Sequence, residues 1–410
     1  MGSEEAELPV RRRRARPAPW ATASWGPAAL LACAFGSGCA PCGNGPFSDP
    51  PHETLCGFEC VDTDSDPNHC GGCFESCEEP EEAGRIAVCS QGNCHAEPLA
   101  DVLVETTGTP ATLAVDSTHV YWTTGCGGTV ERVAKQGGAV EVIAPGQPGA
   151  WSVAVDDAYA YWTILCDPWP WGAEPACCVP GAAVARTPLA GGAVEVLAPV
   201  GASDALMLAL DADNVYWSTR ADGVWKVPKT GGTPVALVPA GAFVSLAFSG
   251  GGLYAAGFVG SPPDENHLYR DIFQVPTDGA PATMLTSGLG ALDLDVDGSW
   301  LYWLDCTGAN PALARMPLAG GSSEVFELFT NIACGENLIR PQQWLAVDGD
   351  FAYFDTAGDV RKTPKTGGAT IDVPQPYYPI DHGGAVRTAF AVDETSVYYT
   401  TGHSVRRAPK

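Results

Sequence analysis

Histidines, arginines, tryptophans and cysteines gather in a few long, irregular segments of this 410-residue chain. His267 stands close to Asp264, Glu265 and Asp271, and His382 and His403 lie in comparable segments further on. Imidazole beside a carboxylate can move protons or ligate a divalent ion near neutral pH. Trp169, Trp171, Tyr269, Arg270, Arg340 and Trp344 are instead the rigid aromatic and arginine types that anchor interfaces. Catalysis would need a nucleophile, a base or a metal cluster assembled at one place. The chain has no GxSxG, no HExxH and no nucleotide-binding glycine loop. A non-enzymatic binding protein is therefore expected, with Trp169, Trp171, His267, Tyr269, Arg270, Arg340 and Trp344 as candidate ligand contacts and no catalytic residue, metal or cofactor. The alternatives are a metal-assisted lyase or hydrolase using the same segments, and a structural envelope spacer.

Six of the sixteen cysteines, Cys126, Cys166, Cys177, Cys178, Cys306 and Cys334, fall in these same segments. An even count in an oxidising compartment favours three disulfides that pin loops over a redox or metal site. Cys306 and Cys334 are the most natural pair, whereas Cys126 and Cys166 hold equivalent places near the adjacent Cys177 and Cys178. Eight more, Cys42, Cys56, Cys60, Cys70, Cys73, Cys77, Cys89 and Cys94, crowd a stretch with almost no aliphatic run. Such a stretch needs cross-links to hold a shape, and its eight cysteines allow 105 pairings. Zinc at Cys70, Cys73 and Cys77 is less favoured, because no second matching pair completes four ligands. Calcium at Asp62, Asp64, Asp66 and Asn68 is also less favoured, because Pro67 stands where a calcium loop turns on glycine.

The elements that must position these groups are repeats. A head motif recurs seven times, as LAVDSTHVYWTT from Leu113, VAVDDAYAYWTI from Val153, LALDADNVYWST from Leu208, LAFSGGGLYAAG from Leu246, LDVDGSWLYWLD from Leu294, LAVDGDFAYFDT from Leu345 and FAVDETSVYYTT from Phe390. Tyr121, Tyr161, Tyr216, Tyr254, Tyr302, Tyr353 and Tyr398 each follow the aspartate position by five residues, and only Ser249 replaces that aspartate. Each head except the last is followed by a second strand pair around a glycine turn, as in VWKVPKTGGTPVALV from Val224. Four short strands per unit predict propeller blades. The expectation is an all-β, seven-bladed β-propeller over residues 99–410, with the strand near Ala100–Val104 completing the last blade and closing the ring.

The heads resemble the YWTD family of β-propellers through Tyr121-Trp122-Thr123, Tyr161-Trp162-Thr163 and Tyr216-Trp217-Ser218. They depart from it in mostly lacking the closing aspartate and in numbering seven where that family usually has six. They resemble equally a group of bacterial propeller lipoproteins. These resemblances imply protein or peptide binding. The run LCGFECVDTDSDPNHCGGCFESC resembles a cysteine-rich module of bacterial secreted proteins, which implies a disulfide-rich domain over 39–98. Seven-bladed propeller lyases use histidines and a divalent ion, but no motif of theirs matches here residue by residue. The Tyr-Trp pairs read as packing between blades, because blade sheets are buried on both faces.

Within a blade, the turns joining strands one to two and three to four fall on one side and are short and regular in nearly every copy. The connections between strands two and three and between blades fall on the opposite side and vary widely in length, notably 165–182, 256–271 and 329–343. Variable loops on a rigid ring are where function usually sits, which directs the ligand to that side.

Composition narrows the partner. Hydrophobic residues at 45% against 17% charged indicate a globular chain, and a net charge of -26 repels nucleic acid and anionic lipid. The arginines at 11–14 and 16 ahead of the apolar run Trp20–Phe35 read as an export signal over 1–38, too short and broken to span a membrane comfortably. Cys39 is the favoured lipidation site and Cys33 the alternative, since lipid at Cys39 leaves an even number of cysteines. The expected protein is a monomer in the cell envelope or medium that touches membrane only through a lipid anchor. Its partner is a protein, peptide or glycan.

Overall fold

A computed structural model describes short strands within 12–98 and, within 101–410, all but 126, 166–182, 200–204, 261–269, 288, 307–311, 329–344, 356–359, 369, 374–388 and 402–403. The chain divides into two compact units, Met1–Leu99 and Ala100–Lys410. In the first, Arg12–Arg14 pairs with Glu75–Cys77, Glu53–Cys56 with Glu59–Asp62, and Arg85–Ser90 with Asn93–Pro98. All three pairs are antiparallel, the last places Cys89 opposite Cys94, and Cys94 is disulfide-bonded. Cys33, Cys39, Cys42, Cys70 and Cys73 lie outside the described residues.

The second unit is a seven-bladed β-propeller. Blades 1 to 6 are four-stranded antiparallel sheets with their strands in sequence order. Their first strands are Leu113–Val115, Ala150–Val155, Ala205–Leu210, Gly241–Ser249, Ala291–Val296 and Leu345–Val347. Blade 7 takes three strands from Phe390–Val392, Ser396–Thr401 and Ser404–Pro409, and its fourth is Asp101–Glu105, paired antiparallel to the third. The expected closure is therefore observed. It leaves no blade with a missing outer strand, and the edge of Ser404–Pro409 that would otherwise stand open is paired.

Local chemistry explains the regularity. The β-branched and aromatic heads suit a pleated sheet buried on both faces. The third and fourth strands of blade 3 meet at a glycine pair in which Gly231 has φ of 84°, a region that side chains with Cβ rarely adopt. Among the described residues, buried side chains form seven clusters, each spanning two adjacent blades. Trp122, Trp162, Trp217, Trp303 and six of the seven head tyrosines are almost wholly buried. These pairs are core, as the sequence suggests, and each fully buried aromatic contributes about 1.5–3 kcal/mol. The hydrophobic energy thus lies at the junctions between blades.

Candidate functional site

The aspartate that six of the seven heads carry before the first short turn organises one face of the ring. In blade 2, Asp156 Oδ1 accepts the backbone N–H groups of Ala158 (2.9 Å) and Tyr159 (2.8 Å), which fixes the turn. Its Oδ2 accepts the Tyr161 hydroxyl at 2.9 Å and Lys229 Nζ of blade 3, also at 2.9 Å. The arrangement recurs for Lys365 on Asp297 (2.5 Å), Lys135 on Asp393 (2.5 Å) and Lys410 on Asp348. In every case a lysine of one blade reaches the aspartate of the blade before it. A second tie runs the other way. Arg132, Arg186, Arg315 and Arg407 donate to the backbone carbonyls of Leu189, Lys229, Lys365 and Lys135 in the following blade.

These aspartates are held in their charged form. For Asp156, Asp297 and Asp348, burial alone would raise the pKa, but the lysine ammonium and the turn N–H groups outweigh it and hold the carboxyl below its ordinary value. The tyrosine hydroxyls shift the opposite way. Burial and then the neighbouring Asp393 push Tyr398 up to about 12. The paired lysine side chains are only 11–16% exposed. Such ties should exceed the roughly 0–1 kcal/mol of an exposed ion pair without reaching a fully buried one. At these four junctions the polar groups of this face are thus engaged in holding the ring together.

The first strands of neighbouring blades are tied by bonds from short polar side chains. Thr112 Oγ1 accepts Val153 N (2.9 Å), Ser152 Oγ accepts Leu208 N (3.1 Å), and Ser245 Oγ accepts Leu294 N (3.2 Å). In blade 5 an aspartate does this work: Asp293, 3% exposed, accepts Leu345 N at 3.0 Å and the Ser245 hydroxyl at 2.6 Å. Two residues on, Asp295 stands where the other six blades carry Ala114, Ala154, Ala209, Ala247, Ala346 and Ala391. It accepts Val347 N of blade 6 at 2.8 Å and Val296 N at 2.8 Å. Asp295 as a residue keeps some exposed surface, but its carboxyl is enclosed. Burial, opposed by those two bonds, pushes its pKa up to about 6. Sequence reasoning missed this residue, although aligning the heads by their aspartate sets one Asp against six Ala.

The residues proposed from sequence are mostly outside the described region. Trp169, Trp171, His267, Tyr269, Arg340 and Trp344 lie there, as do Cys126, Cys166, Cys177, Cys178 and Cys334. Cys306 is disulfide-bonded. Arg270 is described: it is 5% exposed and stands immediately before the third strand of blade 4. Its N–H bonds Leu289 O at 2.5 Å, and it forms a parallel bridge to Gly290 at the approach to blade 5. Burial lowers its pKa to about 10. No group of three or more metal-ligating side chains occurs among the described residues.

Comparison with known proteins matches the ring. A virginiamycin B lyase from Staphylococcus aureus is similar at a TM-score of 0.55 and 11% identity, over 75% of this chain and 98% of that one. A streptogramin B lyase gives 0.54 and 11%, over 75% and 96%. The N-terminal domain of Nup159 gives 0.50 and 8%, over 76% and 93%. No family model and no curated protein matches the sequence, so neither YWTD membership nor the cysteine-rich family is supported. At these identities the likeness shows the fold alone. It nevertheless corrects the expectation of a non-enzymatic protein, because two of the solved structures sharing this ring are lyases and a ring of this kind accommodates catalysis.

Proposed function

We propose that the chain is an exported propeller that holds a protein, peptide or glycan on the face carrying its variable connections. Its 39–98 segment serves as a disulfide-rich stalk with a lipid anchor at Cys39. The observation that supports this reading is the contrast between faces. On the short-turn face, Asp156, Asp297, Asp348 and Asp393 are engaged by lysines of the following blade. In the sequence, the recognition residue types and the length variation fall in 166–182, 261–269 and 329–344, which join strand ends on the other side. A rigid ring with one face locked leaves the opposite rim free to vary. The charge of -26 suits a cationic or hydroxyl-rich ligand.

The test is a peptide and glycan array probed with the purified chain and with a variant whose 166–182 and 261–269 segments are replaced by short glycine turns. Signals held by the chain and lost in a folded variant support the reading. Equal signals from both proteins contradict it.

A second reading rests on Asp295. A carboxyl pushed up to about 6 on the first strand of blade 5 has the proton affinity for general base work near neutral pH. The ring architecture shared with two lyases is compatible with that use. Under this reading, Asp295→Asn abolishes any turnover found in a substrate screen while preserving ligand affinity. Retention of full activity would exclude Asp295 as the base.

A further inference from the structure

Four of the seven junctions hold an ammonium group in the same way. Lys229, Lys365, Lys135 and Lys410 bond Asp156, Asp297, Asp393 and Asp348. Their Nζ atoms lie 5.5, 5.3, 5.4 and 5.7 Å from the ring centres of Tyr161, Tyr302, Tyr398 and Tyr353. In each, the tyrosine hydroxyl donates to the same carboxylate oxygen or its immediate surroundings. A carboxylate beside an aromatic ring recognises an alkylammonium through charge, hydrogen bonding and the ring quadrupole.

The junction of blades 1 and 2 keeps this cage and lacks the lysine. Tyr121 donates to Asp116 Oδ2 at 2.6 Å, while Oδ1 accepts Thr118 N (2.6 Å), His119 N (2.7 Å) and Thr118 Oγ1 (2.9 Å). Leu189 stands in the lysine position, and its side chain packs on the apolar cluster between the two blades. Among the described residues no cation forms an ion pair with Asp116. Its carboxyl is still held below the ordinary value: burial would raise it, but the hydrogen bonds from Tyr121, Thr118 and His119 prevail. A cleft of about 480 Å³ lies over it, lined by Ser117, His119, Arg132, Asp156, Asp157 and Leu189 among others. Arg132 is no obstacle to a second cation, because Arg315 and Lys365 share the equivalent cleft of blades 5 and 6.

The other two junctions without lysine are closed by different means. Between blades 3 and 4, Asn214 Nδ2 reaches both oxygens of Asp211 at 3.2 Å, and Phe248 stacks on Tyr216 at 5.7 Å. Between blades 4 and 5 the aspartate itself becomes Ser249, and the lysine position holds Leu318. Only the first junction keeps the charge, the ring and the space without a cation from the described residues.

We infer that the cleft between blades 1 and 2 binds a primary alkylammonium group, either a lysine side chain of a peptide or a free diamine, seated between Asp116 and the Tyr121 ring. It lies on the face opposite the rim proposed above and is independent of that reading.

The test uses the full chain and three probes in calorimetric titrations: cadaverine, acetyl-Ala-Lys-Ala-amide, and acetyl-Ala-norleucine-Ala-amide as the uncharged control. The lysine peptide or the diamine should bind and the norleucine peptide should not; the relative affinities of the first two identify the source. Asp116→Asn should weaken binding at least tenfold. Leu189→Lys should supply the missing ammonium, abolish probe binding and raise Tm by about 1–3 °C, since a small tie shifts Tm modestly in a domain this large. Binding that is equal in all three proteins, or absent from the parent chain, overturns the inference. So does a Leu189→Lys variant that folds with unchanged or lower Tm.

Discussion

The junctions of blades 5–6 and 1–2 share an aspartate, a tyrosine and an arginine that reaches the next blade, yet on the short-turn face they differ at Lys365 against Leu189, and on the first strands Asp295 stands against Ala114. At the first, the ammonium joins Asp297 of one blade to the tip of the next. At the second, the neighbouring blades are held by the arginine tie and by the apolar cluster around Trp162 and Tyr121. The ring tolerates the loss because its adhesion is divided among many junction contacts. The lysine latch is therefore an additive module, present where two residues from successive blades coincide.

That modularity can be broken on three scales. The largest effect should follow deletion of Asp101–Glu105, which removes the outer strand of blade 7 and with it the closure. The unfolding transition should broaden and its Tm fall by more than about 10 °C, read by calorimetry, because an unpaired edge and an unmatched blade remain. A sharp transition at the parent Tm would refute the closure. Next in size, Lys365→Leu should remove the latch from the 5–6 junction, as it is missing from the 1–2 junction, and cost about 1–2 kcal/mol in urea denaturation, as expected for a tie that is 12% exposed on the lysine side. Combining it with Asp297→Asn should cost less than the sum of the two single changes, because both remove one interaction.

The pH dependence gives a subtler contrast. The head aspartates have depressed pKa values, so the stability they supply is present above their ordinary value of 3.8 and is lost as pH falls below it. Asp295 has the opposite sign. With a folded pKa of about 6, its contribution is greatest below 3.8 and declines as pH rises toward 6. Asp295→Asn should flatten the stability profile between about pH 4 and 6 and leave the acid unfolding limb in place, followed by thermal melts across that range. An unchanged slope between pH 4 and 6 would mean that the Asp295 carboxyl is not enclosed.

Seven blades and their closure are legible in the sequence because the aspartate-to-tyrosine spacing is local and repeated, and because Asp101–Glu105 reads as a strand without a unit. The latch is not legible in any one repeat, since Lys229 and Asp156 are 73 residues apart and Lys135 and Asp393 are 258 apart. A trace of it exists across repeats. Where Ser249 removes the carboxylate, the next blade has Leu318 in place of lysine. The burial of Arg270 is not legible in the sequence, because polarity of a segment says nothing about which end pairs with a neighbouring sheet. Asp295 went unnoticed because a single aspartate in a strand looks ordinary until it is set against six alanines.

The most direct test of the division between the two faces is to take one ligand identified on the array and measure its Kd with three proteins: the parent chain, the variant with shortened 166–182 and 261–269 segments, and Lys229→Leu. The expected result is a loss of at least tenfold in affinity for the shortened variant and an unchanged Kd for Lys229→Leu, whose latch lies on the opposite face. Full affinity in the shortened variant together with a loss in Lys229→Leu would place recognition on the latch face and contradict the account.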